Sequence, residues 1–154
     1  MFTFGDARFF GSAASNGLTT PFVGLAPTPD GGGYWLTTAA GGVFAYGDAK
    51  FYGQGRDLPF WHPFVGIAGT HDGQGYWLAG SDGGVFSFGD AAFHGSGAGM
   101  RLSAPVVGVV GTPDGGGYWF VGADGGVFAF GDAGFAGSTG GQALQQPMVA
   151  IAAA

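Results

Sequence analysis

The chain has no cysteine, no glutamate and only four basic residues in 154: Arg8, Lys50, Arg56 and Arg101. Without cysteine there can be no disulfide, no thiolate metal ligand and no thiol nucleophile, while the compartment stays undecided, because secreted proteins can also do without it. All ten acids are Asp and set a formal charge of −6. So few cations cannot neutralise a phosphate backbone or an anionic membrane, and nucleic acid is not expected as a partner. No run reaches the 18 or so apolar residues of a membrane span, and the opening MFTFGDARFF has neither the basic n-region nor the apolar h-region of a signal peptide. Membrane insertion is not expected.

What is abundant is glycine, with 36 residues, beside an aromatic content of 16%. Glycine at that level without a period would point to low complexity, whereas the aromatics supply burial energy that disordered chains lack. Repetition reconciles the two. The tripeptide GDA begins at Gly5, Gly47, Gly89 and Gly131, and GYW at Gly33, Gly75 and Gly117, always 42 residues apart. The eight residues TPDGGGYW occur at Thr28–Trp35 and again at Thr112–Trp119, with THDGQGYW at Thr70–Trp77.

Each period reads as four short strands. In the third copy these are PVVGVVGT (Pro105–Thr112), YWFVG (Tyr118–Gly122), VFAFG (Val127–Gly131) and GFAGS (Gly134–Ser138), punctuated by PDGGG, ADGG and GDA turns. Val, Phe, Tyr and Trp dominate the runs, as strands prefer. Both faces carry apolar side chains: Phe86 and Phe88 on one, Val85 and Ser87 on the other. The sheets are therefore expected to lie between neighbours. Gly24, Gly66 and Gly108, with Ala150 in the fourth copy, sit mid-strand, where glycine implies close approach of another backbone.

A 42-residue unit of four antiparallel strands predicts an all-β fold, a β-propeller of four-stranded blades, with a β-trefoil as the alternative. The domain is divided into a half blade over 1–21, units over 22–63, 64–105 and 106–146, and a final inner strand over 147–154. The incomplete first and last units lead us to expect a segment of a longer array, or self-association that completes the propeller.

The unit DGGGYWFVGADGGVFAFGDAGFAGS resembles the Gly-Tyr-Trp / Phe-Gly-Asp-Ala tandem repeats of secreted and surface proteins of actinobacteria. The resemblance implies non-catalytic propeller modules in an extracellular or cell-surface setting. TPDGGGYW is also similar to the Asp-box, Ser/Thr-x-Asp-x-Gly-x-x-Trp, of sialidase-like propellers, with Thr28, Asp30, Gly32 and Trp35 matching; the middle copy departs from it at Gln74. Asp-boxes occur on propellers of different activities, so this likeness bears on fold more than on function.

The recurrent acids, Asp30, Asp72 and Asp114 in one turn and Asp6, Asp48, Asp90 and Asp132 in another, are expected to be structural, accepting backbone N–H bonds that lock the turns. One carboxylate per turn, without DxDxDG spacing, does not build a calcium loop. The histidines His62, His71 and His94 occupy three different places in the repeat, so no metal and no cofactor is expected. Trp35, Trp77 and Trp119 occupy equivalent places and are assigned to packing between blades. Sialidase chemistry resembles an Arg cluster with Tyr and Glu at the reacting centre, which this composition cannot supply, and no enzymatic activity is expected.

Four eight-residue segments of fixed length and differing sequence, AASNGLTT, GRDLPFWH, GAGMRLSA and TGGQALQQ, join one blade to the next. Variable residues on a fixed frame are where recognition is usually placed. The expected ligand-binding residues are Arg56, Asp57, Trp61, His62, Met100, Arg101, Gln142 and Gln145, contacting a glycan or a protein. A purely structural repeat spacer or assembly component is the alternative, and a glycan-processing propeller enzyme a further one.

Overall fold

The computed structural model describes residues 1–13 and 17–153; Ala14, Ser15 and Asn16, part of the first inter-blade segment, and Ala154 lie outside the described residues. Nine strands form three separate antiparallel sheets: β1 (Phe22–Pro27), β2 (Gly33–Thr38) and β3 (Val43–Gly47); β4 (Phe64–Gly69), β5 (Gly75–Gly80) and β6 (Val85–Gly89); β7 (Val106–Gly111), β8 (Gly117–Gly122) and β9 (Val127–Gly131). Each sheet is a meander with its GYW strand in the centre. The register repeats from sheet to sheet, including an irregularity between Phe22 and Gly24, Phe64 and Gly66, and Val106 and Gly108. A bulge there adds twist to the inner strand. Three independent meanders laid side by side make a propeller-like arrangement and share no barrel of the kind a β-trefoil requires.

The inner strands β1, β4 and β7 lie beside one another. At Gly24 an added Cβ would stand 3.0 Å from the backbone nitrogen of Ile67 and 3.2 Å from the Gly66 Cα, and at Gly108 it would stand 3.2 Å from the nitrogen of Ile151. A side chain there would press the neighbouring backbone back by a few tenths of an ångström, which favours the recurring mid-strand glycine. The central strands are buried along their whole length in the first two sheets. Trp35 tilts against Tyr76 of the next sheet with ring centroids 5.6 Å apart, and Trp77 meets Tyr118 in the same way at 5.5 Å. The expected packing of the repeat tryptophans between sheets is thus what the structure shows for these two; Trp119 is only partly covered.

The expected fourth strand does not form: each sheet has three. Residues 50–54, 92–96 and 134–138 contain glycines at φ 138°, 131° and 133° (Gly53, Gly95 and Gly137), a conformation that interrupts a strand. In the first two copies the main-chain groups find side chains in place of a ladder. The Tyr76 hydroxyl accepts from the Tyr52 N–H (3.1 Å) and donates to the Gly53 carbonyl (2.6 Å), while the Trp35 indole donates to the Lys50 carbonyl at 2.7 Å. Tyr118 repeats the clasp on His94 and Gly95, and Trp77 donates to Ala92. Burial pushes the Tyr76 and Tyr118 phenols up, which keeps the donated proton in place. The segment that should have closed each of the first two sheets instead ties it to the next one.

At the two ends, residues 1–13 and 147–153 also form no strand, contrary to the strands expected there. The first stretch still supplies Tyr34 with the same clasp, from the Phe10 N–H to its hydroxyl and from that hydroxyl to the Gly11 carbonyl. In the second, the Met148 N–H donates to the Ala123 carbonyl at 2.9 Å, as Phe64 does to Ala39 and Val106 to Ser81.

Candidate functional site

The strand ends create two faces. On one lie the PDGGG and GDA turns, because the Asp48 N–H donates to the Gly32 carbonyl and its counterparts at Asp90 and Asp132 repeat that bond. On the other, the second turn of each sheet meets the inter-blade link: the Gly55 N–H donates to the Gly41 carbonyl at 2.8 Å, Gly97 to Gly83 at 2.9 Å and Thr139 to Gly125 at 3.1 Å. We call these the turn face and the link face.

On the turn face the lock of each PDGGG turn is an acid acting on its own loop. Asp30 Oδ1 accepts from the Gly32 N–H (3.0 Å), Asp72 from Gln74 (3.0 Å) and Asp114 from Gly116 (3.2 Å). Thr28 closes the loop from the other side, its hydroxyl accepting from the Gly33 N–H at 2.8 Å, and Thr70 and Thr112 do the same. The GDA acids act differently. The Thr28 hydroxyl reaches both Asp30 Oδ1 (2.9 Å) and Asp48 Oδ1 (3.1 Å), so two carboxylates from turns 18 residues apart share one hydroxyl. Reading one carboxylate per turn from the sequence therefore missed this pairing; Asp72 and Asp90, and Asp114 and Asp132, are likewise neighbours, while the shared hydroxyl is seen at Thr28. Glycine at 32 and 116 makes room for it, since a Cβ there would overlap the Asp48 or Asp132 carboxylate.

Charge within a pair is divided unequally. Backbone N–H donation from Gln74 and the Thr70 hydroxyl hold Asp72 below the usual carboxylate range, whereas burial and the neighbouring Asp72 charge push Asp90 above it. Asp30 is lowered chiefly by the Gly32 N–H, and Asp114 chiefly by the Thr112 hydroxyl. A groove of about 340 Å³ runs from Asp30 and Asp48 past Lys50 to Asp72 of the next sheet. Among the described residues no three potential metal-ligating side chains gather.

The link face presents most of the residues expected to bind. A single 3-10 turn, Gly55–Asp57, starts the second link. Arg56 and Asp57 are exposed neighbours, Nε to Oδ1 3.8 Å, with Asp57 also held by the Gln54 amide at 2.8 Å. Trp61 is 92% exposed. Arg56, Trp61 and His62 line a groove of about 350 Å³, and His62, Met100 and Arg101 line another of about 710 Å³ that also includes Ser81, Asp82 and Ser103. His62 belongs to both, its Nε2 4.0 Å from Asp82 Oδ2. The structure thus joins residues from two successive links into one surface. Gln142 and Gln145 are exposed on the fourth link and line neither groove.

The three links follow one backbone course. Leu58 donates to Gly55, Met100 to Gly97 and Gln142 to Thr139, so Leu58, Met100 and Gln142 are equivalent, as are Trp61, Ser103 and Gln145. The links are less free in sequence than expected: Leu18, Phe60, Leu102 and Leu144 recur at the same place. Phe60 packs edge-on to Phe86 and against Phe64, and Leu102 packs on the core beside Val106. Phe60 and Leu102 pin their links to the sheets, whereas Leu18 is 40% exposed; the 42-residue spacing of an apolar residue was the available signal. A second unexpected set, Phe9, Phe51, Phe93 and Phe135, recurs at one place and is more than half exposed in every copy.

No protein-family model matches the chain, and no curated protein matches it. Among solved structures it is similar to the β-propeller domain of Myceliophteria thermophila Cps50 (Swd1), with a TM-score of 0.53 and 13% identity. The likeness covers 87% of this chain and 46% of that one, so the chain spans about half the length of the structure it matches. At this identity the likeness shows the fold alone: an all-β, propeller-like chain. No helix among the described residues is long and apolar enough to cross a membrane.

Proposed function

We propose that this chain is a non-catalytic binding or adhesion module whose link face recognises a glycan or a protein. The observation that carries the reading is the link pair itself. Two segments with the same backbone bonds present different side chains, and Trp61, His62, Met100 and Arg101 come together around His62 although 40 residues separate the outermost two. A fully exposed indole costs solvation and contributes nothing to the core, whereas it suits a recognition surface, where Trp and Arg carry most of the affinity. On the turn face Asp30, Asp48, Asp72 and Asp114 each have an internal partner, which favours a structural task for these carboxylates. An extracellular or cell-envelope setting rests on the resemblance of the repeat to tandem modules of actinobacterial surface proteins, and further repeats extending the array belong to the same reading.

Glycan-array and pull-down screening of the wild type against a Trp61→Ala/Arg56→Ala variant tests this. Binding is expected for the wild type and lost in the variant, with thermal stability kept. A protein that binds nothing in either screen is a spacer, and the proposal then fails.

A further inference from the structure

Building on the link-face reading, we infer that the ligand is a carboxylate-bearing saccharide, an oligouronate in chemical class, lying along the joined groove with one sugar stacked on Trp61 and its acid groups on Arg101 and Arg56.

Three observations converge. The larger groove sets polar groups, the Ser81 and Ser103 hydroxyls, the His62 imidazole, the Asp82 carboxylate and the Arg101 guanidinium, among apolar Met100, Leu102 and Pro105. A protein hot spot needs an aromatic anchor at the centre of a desolvated apolar patch. Trp61 is instead 92% exposed beside the first groove, its indole face open to the apolar face of a pyranose ring whose hydroxyls reach Arg56 and His62.

Charge selects among saccharides. Seven of the ten acids (Asp6, Asp30, Asp48, Asp72, Asp90, Asp114 and Asp132) belong to the turn-face motifs, whereas the link-face groove holds two of the four permanent cations. Strands of five or six residues put roughly 17–20 Å between the faces, about twice the Debye length at physiological salt, so the acidic face scarcely weakens an anion held on the other. The acids in and beside the grooves are engaged: Asp57, which lines neither groove, accepts from Gln54 and lies 3.8 Å from Arg56, and Asp82 accepts from the Gly84 N–H at 2.9 Å with His62 beside it. Arg101 forms no ion pair among the described residues. A guanidinium fork left open beside hydroxyls matches a sugar carboxylate in two-pronged geometry, and a neutral sugar would leave it unused.

The test is calorimetric titration of the full chain with hexameric oligogalacturonate, oligomannuronate and hyaluronan oligosaccharides, each beside its carboxyl-reduced, neutral counterpart. At least one uronate is expected to bind, and its reduced counterpart about tenfold or more weaker, the loss of one charged two-pronged contact. Arg101→Gln should abolish that preference, and Trp61→Ala should weaken both forms, with melting temperatures unchanged because both side chains are exposed. Equal binding of acid and neutral forms, lost in Trp61→Ala, overturns the uronate inference while leaving the binding module intact. Failure of every uronate to bind, alongside a protein ligand sensitive to Trp61→Ala, overturns the saccharide and again spares the module. Binding that ignores both substitutions, or no binding of any kind, removes both.

Discussion

The two faces of the molecule are made from the same number of turns but by opposite rules. On the turn face polar groups serve their own loops: Asp30 and Thr28 bond the loop backbone, a lock that recurs at Asp72 with Thr70 and at Asp114 with Thr112, and in the first sheet the Thr28 hydroxyl also reaches Asp48. On the link face the backbone bonds recur and most side chains do not, with Phe60 and Leu102 held inward as anchors of their links. Repetition of side chains marks geometry, and repetition of backbone under changing side chains marks freedom to recognise. The fold tolerates the second only because the first has already fixed the strand ends.

The hardest blow to this contrast should come from beneath both faces. Trp77→Ala removes a side chain 1% exposed that packs on Tyr118 and holds the Ala92 carbonyl; a loss of about 3–5 kcal/mol in urea unfolding is expected. Tyr76→Phe keeps the ring and deletes the clasp on Tyr52 and Gly53. Leaving those main-chain groups without a partner should cost about 1–3 kcal/mol. A neutral effect would mean that the clasp does not stand in for the missing strand.

Smaller effects should separate the faces. Asp114→Ala opens the Gly116 and Thr112 bonds and is expected to lower the melting temperature by a few degrees without selectively removing link-face binding. Should that variant stay fully folded and lose the ligand, the functions of the two faces have been exchanged. Trp61→Ala is the mirror experiment: stability within about 0.5 kcal/mol of the wild type and binding lost.

Acid should act on the turn face with opposed signs inside one pair. Asp72 is depressed in the fold, so its contribution is complete above the ordinary carboxylate value of 3.8 and disappears as pH falls through its lower folded value. Asp90 is raised, so its ionisation opposes folding, and that penalty appears only as pH climbs from the ordinary value through the folded one. Asp90→Asn is therefore expected to raise the melting temperature at pH 7 and to leave it unchanged at pH 3, as followed by circular dichroism. An equal shift at both values would show that its charge is not what the pair resists.

Much of this protein was legible in residue order. The nine strands that form are all among those expected, with boundaries within a residue or two, because alternation and the glycines that follow each run act over a few residues and repeat in every copy. The inner-strand glycines were legible for the same reason, as positions where a side chain would press on the neighbouring backbone. The fourth strand was misread because KFYGQ, AFHGS and GFAGS have strand composition, yet the main chain of the first two is satisfied by a tyrosine hydroxyl some 23 residues further along and, among the described residues, that of GFAGS meets only the Trp119 indole, at Gly134; no local pattern encodes a partner at that distance. The pairing of Asp30 with Asp48 and the meeting of Trp61 with Arg101 at His62 have the same origin: residues far apart in the chain become neighbours only when strands antiparallel in one sheet, and links successive along the row of sheets, bring their ends together.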